Sequence, residues 1–151
     1  MRKFEIVKDD AIMYGVKDIT LPKRGTKYAA GYDFYSPIDV VVEPHSKQII
    51  FSNVKADMNE DEFLMLVPRS SMGKKDISIA NTVGIIDKDY YSNPTNDGNI
   101  GIFIKNNGDQ PFEIKKGDRL VQAVFLKYLT TDDDNVDDRV RQGGYGTTGR
   151  N

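Results

Sequence analysis

Two aspartates follow an apolar run in the segment 81–90, which reads NTVGIIDKDY. A carboxylate held beside a ligand can orient a water molecule and accept its proton, and aspartate is ordinarily ionised at neutral pH. Asp87 or Asp89 could therefore act as a general base. The segment predicts a β-hairpin with a carboxylate near its tip, although in isolation such a pair of aspartates is more commonly an ordinary turn feature.

A second candidate lies where another strand is predicted to end, at Arg69, Ser70 and Ser71 after Pro68. A serine at this place can cap a short helical turn and leave amide hydrogens facing an anion. Arginine is a fork-shaped donor that suits phosphate. The residues are compatible with a phosphate cradle, and equally with a solvated turn that carries a capping serine.

Gln122 is the third candidate, because the alternation of the predicted strand 119–127 places it on one face with Leu120, Val124 and Leu126. A buried amide without partners costs about 1–3 kcal/mol. Either a neighbouring backbone group or a ligand must therefore satisfy it, and the sequence leaves both possibilities open.

The chain ends in a glycine-rich tail, RQGGYGTTG at 141–149. It contains Gly-x-Gly-x-x-Gly, but no strand precedes the pattern and no helix can follow it, so a dinucleotide fingerprint is excluded. Because glycine loses the most backbone entropy on ordering, we expect the tail to be mobile until it binds something. We predict a strap whose amides and hydroxyls wrap phosphates.

Short β-like runs separated by turn residues must position these candidates, and no long stretch has helical periodicity. The clearest runs are 38–42, 47–51, 62–67, 100–105 and 119–127. This spacing predicts an all-β, jelly-roll-like sandwich or barrel. We expect one β domain over 1–130, followed over 131–151 by an acidic tether and a C-terminal arm. The acidic run lacks the glycine and glutamate of an EF-hand loop, so a solvated tether is favoured over a calcium site.

Composition narrows the function further. The 151 residues carry a net charge of −2, which argues against a nucleic-acid-binding surface, and no apolar run is long enough to span a membrane. The chain has no cysteine and one histidine, His45, which excludes thiolate catalysis and His-rich metal sites. The start of the chain lacks the apolar stretch of a signal peptide, so we expect a cytoplasmic protein.

Five ordered motifs resemble those of the trimeric dUTP pyrophosphatase (dUTPase) family and cover most of residues 29–149. In chain order they are AAGYDF at 29–34, PRSS at 68–71, GIIDKDY at 84–90, GDRLVQ at 117–122 and GGYGTTG at 143–149. Each motif is short, but five in register make a specific match. The resemblance implies a homotrimer that hydrolyses dUTP to dUMP and pyrophosphate with Mg²⁺.

The resemblance also implies residue roles. Asp87 would be the base that activates water for attack at the α-phosphorus, Tyr90 would exclude a 2′-hydroxyl, and Asp33 would face Mg²⁺ through water. The residues implied to read uracil are Asn81, Gly84, Ile85 and Ile86, and those implied to hold phosphates are Arg69, Ser70, Ser71 and Gln122. In the arm, Tyr145 would stack on uracil, Arg141 would meet the γ-phosphate, and Gly146 and Thr147 would add donors. The arm of one chain would close a site that contains Asp87 of another.

The sequence departs from the family pattern in three places. Ser71 stands where many members have glycine, and residues 91–97 lengthen the exit from the Asp87 motif by a polar loop. Many members place the arm's arginine where this chain has Val140, with Arg139 and Arg141 on either side; we assign the role to Arg141.

Two alternative functions are compatible with parts of the sequence. A dCTP deaminase shares the fold and a related serine motif, but it would need a catalytic glutamate in place of the aspartate, and the sequence offers none there. A trimeric regulatory or binding protein is the other alternative. The presence of Asp87 and of the whole glycine strap argues for catalysis.

Overall fold

The computed structural model of the chain describes residues 1–137, 139 and 141–144. Twelve short β-strands account for most of the regular structure in this part of the chain. They are β1 (Lys3–Ile6), β2 (Lys23–Arg24), β3 (Tyr32–Tyr35), β4 (Val40–Val42), β5 (Lys47–Phe51), β6 (Val54–Asp57), β7 (Glu62–Val67), β8 (Ile77–Ile79), β9 (Gly84–Asp87), β10 (Gly101–Asn106), β11 (Phe112–Ile114) and β12 (Arg119–Lys127). One helical turn, α1 (Ser70–Gly73), and two 3₁₀ turns, Asp9–Ala11 and Lys88–Tyr90, complete the described elements.

The strands pair only in the antiparallel sense and form four sheets among the described residues. The largest has the order β2-β3-β12-β7-β9, and a second has the order β5-β10-β8. The strands β1 and β6, and β4 and β11, form two further pairs. This arrangement confirms the predicted all-β, jelly-roll-like fold. The strands β5, β7 and β12 begin and end at the predicted residues.

One hydrophobic core joins the two larger sheets. Leu64 and Leu66 of β7 and Ile102 and Ile104 of β10 belong to the same buried cluster. Successive side chains of a strand point to opposite faces, so each strand contributes every second residue to this core. The two sheets therefore pack face to face and hold their loops in fixed relative positions.

The predicted β-hairpin over 81–90 is not present, because β9 pairs neither with β8 before it nor with β10 after it. β8 pairs with β10, whereas β9 pairs with β7 in the other large sheet. The connection is a tight turn in which the Thr82 amide donates to Ile79 O at 2.9 Å and Thr82 has a φ of 69°. A tight turn fits a crossing between sheets as well as a hairpin, so the turn residues alone did not distinguish the two.

No helix among the described residues is long and apolar enough to cross a membrane. The last strand, β12, ends at Lys127, and the buried core cluster contains no residue after Ala123. The division into a β domain and an arm stays a prediction.

Candidate active site

Asp87 is the last residue of β9, which forms an edge of the five-stranded sheet. On its inner side β9 pairs with β7, in a register that sets Asp87 opposite Phe63. The chain then turns through the 3₁₀ segment Lys88–Tyr90. The Asp87 side chain is 47% exposed, so its carboxylate is held by a rigid strand and still reaches solvent.

A cavity of about 250 Å³ opens beside this edge strand. Its lining includes Asp87 and the residues outside the arm that are implied to read the base and the sugar: Asn81, Gly84, Ile85, Ile86, Asp87 and Tyr90. A Cβ atom at Gly84 would lie 3.1 Å from the Leu66 side chain, so glycine permits the close packing of β9 on β7. The sequence did not reveal the opposite wall, which Gly101, Ile102 and Phe103 of β10 supply.

Tyr90 is buried at the base of this cavity, with 5% of its surface exposed. Its hydroxyl donates to Asn99 O at 2.7 Å and accepts a hydrogen bond from Asn96 Nδ2 at 2.9 Å. A buried tyrosine hydroxyl requires such partners. The ring is therefore held at its polar end as well as by packing.

The described part of the arm lies across the same cavity. Arg141 Nη2 donates to Asp87 Oδ2 at 2.5 Å, and the Arg141 backbone amide donates to Asp89 Oδ2 at 2.8 Å. Gly144 passes so close to Tyr90 that a Cβ atom there would lie 2.7 Å from the ring. Within one chain, the arm thus contacts the strand end that carries Asp87.

A second cavity, of about 440 Å³, contains the residues implied to hold phosphates and metal. Its lining includes Asp33, Arg69, Ser70, Ser71 and Gln122, together with Gly31, Thr26 and Lys74, none of which was predicted as a site residue. Both serine side chains are exposed to the cavity. The predicted capping serine is not present: Arg69 occupies the N-cap position of α1, and Ser70 is its first helical residue.

Asp33 lies in this cavity and faces two arginines, Arg69 of the cavity lining and Arg119 outside it. Its Oδ1 atom is 3.6 Å from Arg69 Nε, and its Oδ2 atom is 3.9 Å from Arg119 Nη1. The carboxylate is 14% exposed. Asp33 therefore helps to orient the Arg69 side chain. Because Lys74 also lines the cavity, the lining keeps an excess of positive charge, as a phosphate site requires.

Gln122 does not point into the core, as the alternation had indicated. A bulge between Arg119 and Val121 shifts the register, so that Val121 and Ala123 face the core and Gln122 lies half-buried on the outer face. Its Nε2 atom donates to Pro68 O at 3.5 Å, a long hydrogen bond. A methyl group at Gly31 would collide with the Gln122 carboxamide, so this glycine makes room for the side chain in the cavity.

A family model described as dUTPase matches residues 17–149 of the chain. The chain belongs to the dUTPase family. It is 40% identical over 151 residues to a deoxyuridine 5′-triphosphate nucleotidohydrolase of Lactococcus lactis, with 99% of this chain and 98% of the relative covered. A mouse protein of the same name is 35% identical over 136 residues, with 87% of this chain and 80% of the relative covered.

Solved dUTPase structures share the fold. A crystal structure of the Streptococcus mutans dUTPase superposes with a TM-score of 0.76 at 38% identity, covering 85% of this chain and 98% of the other. A mutant dUTPase from phage phi11 of S. aureus superposes with a TM-score of 0.69 at 24% identity, covering 91% of this chain and 97% of the other. That phage structure is described as showing the coordination of a structural Mg(II) ion.

The two cavities of this dUTPase family member have no lining residue in common. In the five-stranded sheet, Gln122 pairs with Val67, whereas Leu126 pairs with Phe63, the partner of Asp87. Four residues along a strand and two strand spacings therefore separate the backbones of Asp87 and Gln122, which is roughly 16 Å. One chain therefore brings Arg141 to the implied base, but it does not bring the implied phosphate ligands of the second cavity there.

Three implied contacts of the dUTPase arm lie outside the described residues: those of Tyr145, Gly146 and Thr147. Of the two arginines considered for the arm, Arg141 lines the cavity at Asp87, whereas the Arg139 side chain is 83% exposed and pairs with Asp137.

Proposed function

We propose that the protein hydrolyses dUTP to dUMP and pyrophosphate, with Asp87 as the general base. One observation carries the proposal: in a chain of the dUTPase family, a cavity of nucleoside size lies at an edge strand, and a carboxylate stands at its rim. A water molecule hydrogen-bonded to this carboxylate can give up its proton as it attacks the α-phosphorus. The other residues that line the two cavities supply specificity and charge stabilisation.

The edge position of β9 supports recognition of uracil by the backbone. The outer side of β9 is not covered by another strand of the described chain, so its peptide groups between Gly84 and Ile86 face the cavity. Such groups present donors and acceptors at fixed spacing, which suits the alternating edge of uracil. Asn81 lines the same cavity and adds a side-chain amide.

Tyr90 supports discrimination against ribonucleotides. Its ring is buried and fixed at the base of the cavity, and the cavity is small. A deoxyribose that packs on this ring leaves no room for a 2′-hydroxyl. A ribonucleotide would clash with the ring and would leave polar groups without partners, and both effects disfavour its binding.

The phosphate chain is assigned to Arg69, Ser70, Ser71 and Gln122, which converge on the second cavity. Phosphoryl transfer depends mainly on positioning and on charge stabilisation, and these donors supply both. Arg141 is assigned to the γ-phosphate, because of the two described arginines in the arm its side chain is the one that lines the cavity at Asp87.

Magnesium fits this donor set as an ion held chiefly by substrate and water. Among the described residues, no cluster of three or more His, Asp or Glu side chains could enclose a metal ion. Mg²⁺ commonly binds through one or two carboxylates together with phosphates and several waters, and Asp33 provides one carboxylate beside the phosphate donors. When bound, the ion would neutralise charge on the phosphates.

We further propose that the enzyme is a homotrimer with shared active sites. A base acts within hydrogen-bond reach of its proton, directly or through one water. A backbone separation of roughly 16 Å between Asp87 and Gln122 exceeds that reach. A second copy must therefore bring its phosphate cavity to the Asp87 of the first, and closed rotational symmetry makes the three sites equivalent. The predicted cytoplasmic location stays a prediction.

The test is to measure pyrophosphate release from each dNTP and from UTP, with and without Mg²⁺. We expect hydrolysis of dUTP alone, with dCTP and UTP disfavoured by about 10⁴-fold, because a site that hydrogen-bonds its substrate rejects analogues that leave buried groups unmatched. Comparable hydrolysis of dCTP or UTP would contradict the proposal. Ammonia from dCTP without pyrophosphate would indicate a deaminase, and nucleotide binding without turnover would indicate a regulatory protein.

A further inference from the structure

The loop 91–98, which follows Tyr90, is held in shape by asparagine side chains. Asn93 Nδ2 donates to Tyr90 O at 2.8 Å and to Asn96 Oδ1 at 2.9 Å. Asn93 Oδ1 accepts from the Thr95 amide at 3.0 Å, and Asn96 Oδ1 accepts from the Gly98 amide at 3.1 Å. Side-chain oxygens that bind nearby backbone amides fix a loop in one conformation. The loop is therefore an ordered part of the fold with one defined conformation.

The loop is also fastened to the sheet at both ends. Near its end, Asp97 is 7% exposed, and its carboxylate accepts from Lys55 Nζ and from the Lys8 amide, both at 2.8 Å. At its start, the Tyr91 hydroxyl donates to Glu5. This hydrogen bond, together with burial, raises the pKa of Tyr91 to about 12, so the hydroxyl remains a donor at neutral pH.

Asn96 connects this fixed loop to Tyr90. While its Oδ1 atom is bound within the loop, its Nδ2 atom donates to the Tyr90 hydroxyl at 2.9 Å. That hydroxyl has one hydrogen, which it donates to Asn99 O at 2.7 Å. The oxygen of the hydroxyl therefore needs a donor on its other side, and Asn96 provides one. Since the loop cannot move freely, the position of the Tyr90 ring is tied to it.

We propose that Asn96 is a positioning residue that sets discrimination between deoxyribose and ribose by fixing Tyr90 through its hydroxyl. The proposal rests on the function proposed above, in which the Tyr90 ring excludes a 2′-hydroxyl. With the hydroxyl released, the ring can shift within the cavity and make room for the larger sugar. The loop thereby acquires a role in substrate selection, although it does not itself line the cavity beside β9.

The test is Asn96→Asp, which keeps the Oδ1 acceptor and removes the Nδ2 donor. Two acceptors would then compete for the single hydrogen of Tyr90. We expect the ratio of kcat/KM for dUTP to that for UTP to fall about tenfold, the size expected for one lost hydrogen bond. Asn135→Asp is the matched control, because it makes the same chemical change at an exposed residue of the tether and should leave the ratio unchanged.

A double-mutant cycle with Tyr90→Phe separates positioning from a general loss of structure. Tyr90→Phe alone should lower the ratio by a similar factor, and Asn96→Asp should add nothing to it in that background. An unchanged ratio in Tyr90→Phe would overturn the proposal even if Asn96→Asp failed to fold, as would equal effects of Asn96→Asp in both backgrounds. Release of pyrophosphate from dUTP by the unmodified protein, in the same assay, tests the proposed function separately.

Discussion

Arg141 Nη2 donates to Asp87 Oδ2 across 2.5 Å, and the backbone amide and Nε of Arg141 bind the Asp89 carboxylate at 2.8 and 3.3 Å. The proposed base is thus paired with the residue that we assign to the γ-phosphate. The guanidinium occupies the Oδ2 atom of Asp87 and restricts the approach of a water molecule to that oxygen. A triphosphate offers Arg141 a more highly charged partner, so we expect substrate binding to release Asp87 for catalysis.

Replacing the proposed base tests the chemistry directly. In Asp87→Asn the side chain keeps its shape and loses its ability to accept a proton, so we expect kcat to fall about 10²-fold or more while dUTP still binds. Steady-state pyrophosphate release gives kcat, and calorimetry with a non-hydrolysable dUTP analogue gives the binding constant. Asp89→Asn is the matched control, and a larger loss of kcat in that variant would move the base to Asp89.

The arm's phosphate ligand can be identified by comparing its two described arginines. Arg141→Lys keeps the charge and removes the planar fork, so we expect kcat/KM for dUTP to fall at least tenfold. Arg139→Lys should have little effect, because the Arg139 side chain is 83% exposed and pairs with Asp137 of the tether. Should the larger loss occur in Arg139→Lys, the assignment of Arg141 would be wrong.

Mixed trimers test whether one site combines residues of two chains. Asp87→Asn and Arg69→Ala chains should each be inactive alone, because one lacks the base and the other a phosphate ligand. When they are coexpressed and assort at random, about one site in four combines an intact Asp87 with an intact Arg69 from different chains. We therefore expect activity to return to roughly a quarter of the unmodified value, with trimer composition checked by mass spectrometry. Verified mixed trimers that stay inactive would place both residues of a site in one chain.

A companion mixture locates the arm. Here Asp87→Asn chains are coexpressed with chains that end at Gly144. Recovery to about a quarter would show that the arm closes a site on another chain, which the resemblance implies. Absence of recovery would show that the arm stays on its own Asp87, as Arg141 does in the single chain. We expect recovery, because the ten residues 131–140 can span up to ~33 Å and so can reach a neighbouring copy.

The loop that holds Tyr90 should loosen in acid. Burial alone would raise the pKa of Asp97, but hydrogen bonds from Lys55 and from the Lys8 amide outweigh it and lower that pKa below its ordinary value. The stabilisation is therefore complete above the ordinary aspartate pKa of about 3.9 and is lost as the pH falls through the lower, folded-state value.

Thermal melts of the unmodified protein and of Asp97→Asn measure this effect. Near neutral pH the variant should be less stable by roughly 3 kcal/mol, because it leaves Lys55 with a weakened partner in a nearly buried pair. The difference should shrink below about pH 4. A difference that stays constant from pH 7 to pH 3 would show that the Asp97 charge does not stabilise the loop.

The sequence predicted the strands best where a proline or a turn glycine marks the boundary of an alternating run. The strand β7 ends before Pro68, which cannot donate a ladder hydrogen bond, and β12 begins after the turn at Gly117, whose φ is 89°. The predicted hairpin over 81–90 was wrong for a physical reason. A tight turn fixes the direction of the chain locally, whereas the choice of pairing partner depends on strands that are distant in sequence.

The site could be predicted only where a motif carried it. The resemblance grouped Arg69 and Gln122, and the structure places both in one cavity. The sequence did not predict the cavity wall at Gly101–Phe103 or the hydrogen bond from Asn96 to Tyr90. Both depend on how the folded sheet and loop bring these residues together. A bulge likewise moved Gln122 out of the core, and nothing in the alternation of β12 signals a shift of one residue.

The edge position of β9 has a consequence for how the enzyme can evolve. Point substitutions change side chains and leave peptide groups in place, so the proposed recognition of the base by the backbone of β9 would be insulated from most single mutations. In the proposed site, recognition of the sugar depends on the side chain of Tyr90 and its partner Asn96, and either can be lost in one step. Under drift, such an enzyme should begin to accept ribonucleotides well before it accepts cytosine, and selection on the two specificities should fall on different parts of the chain.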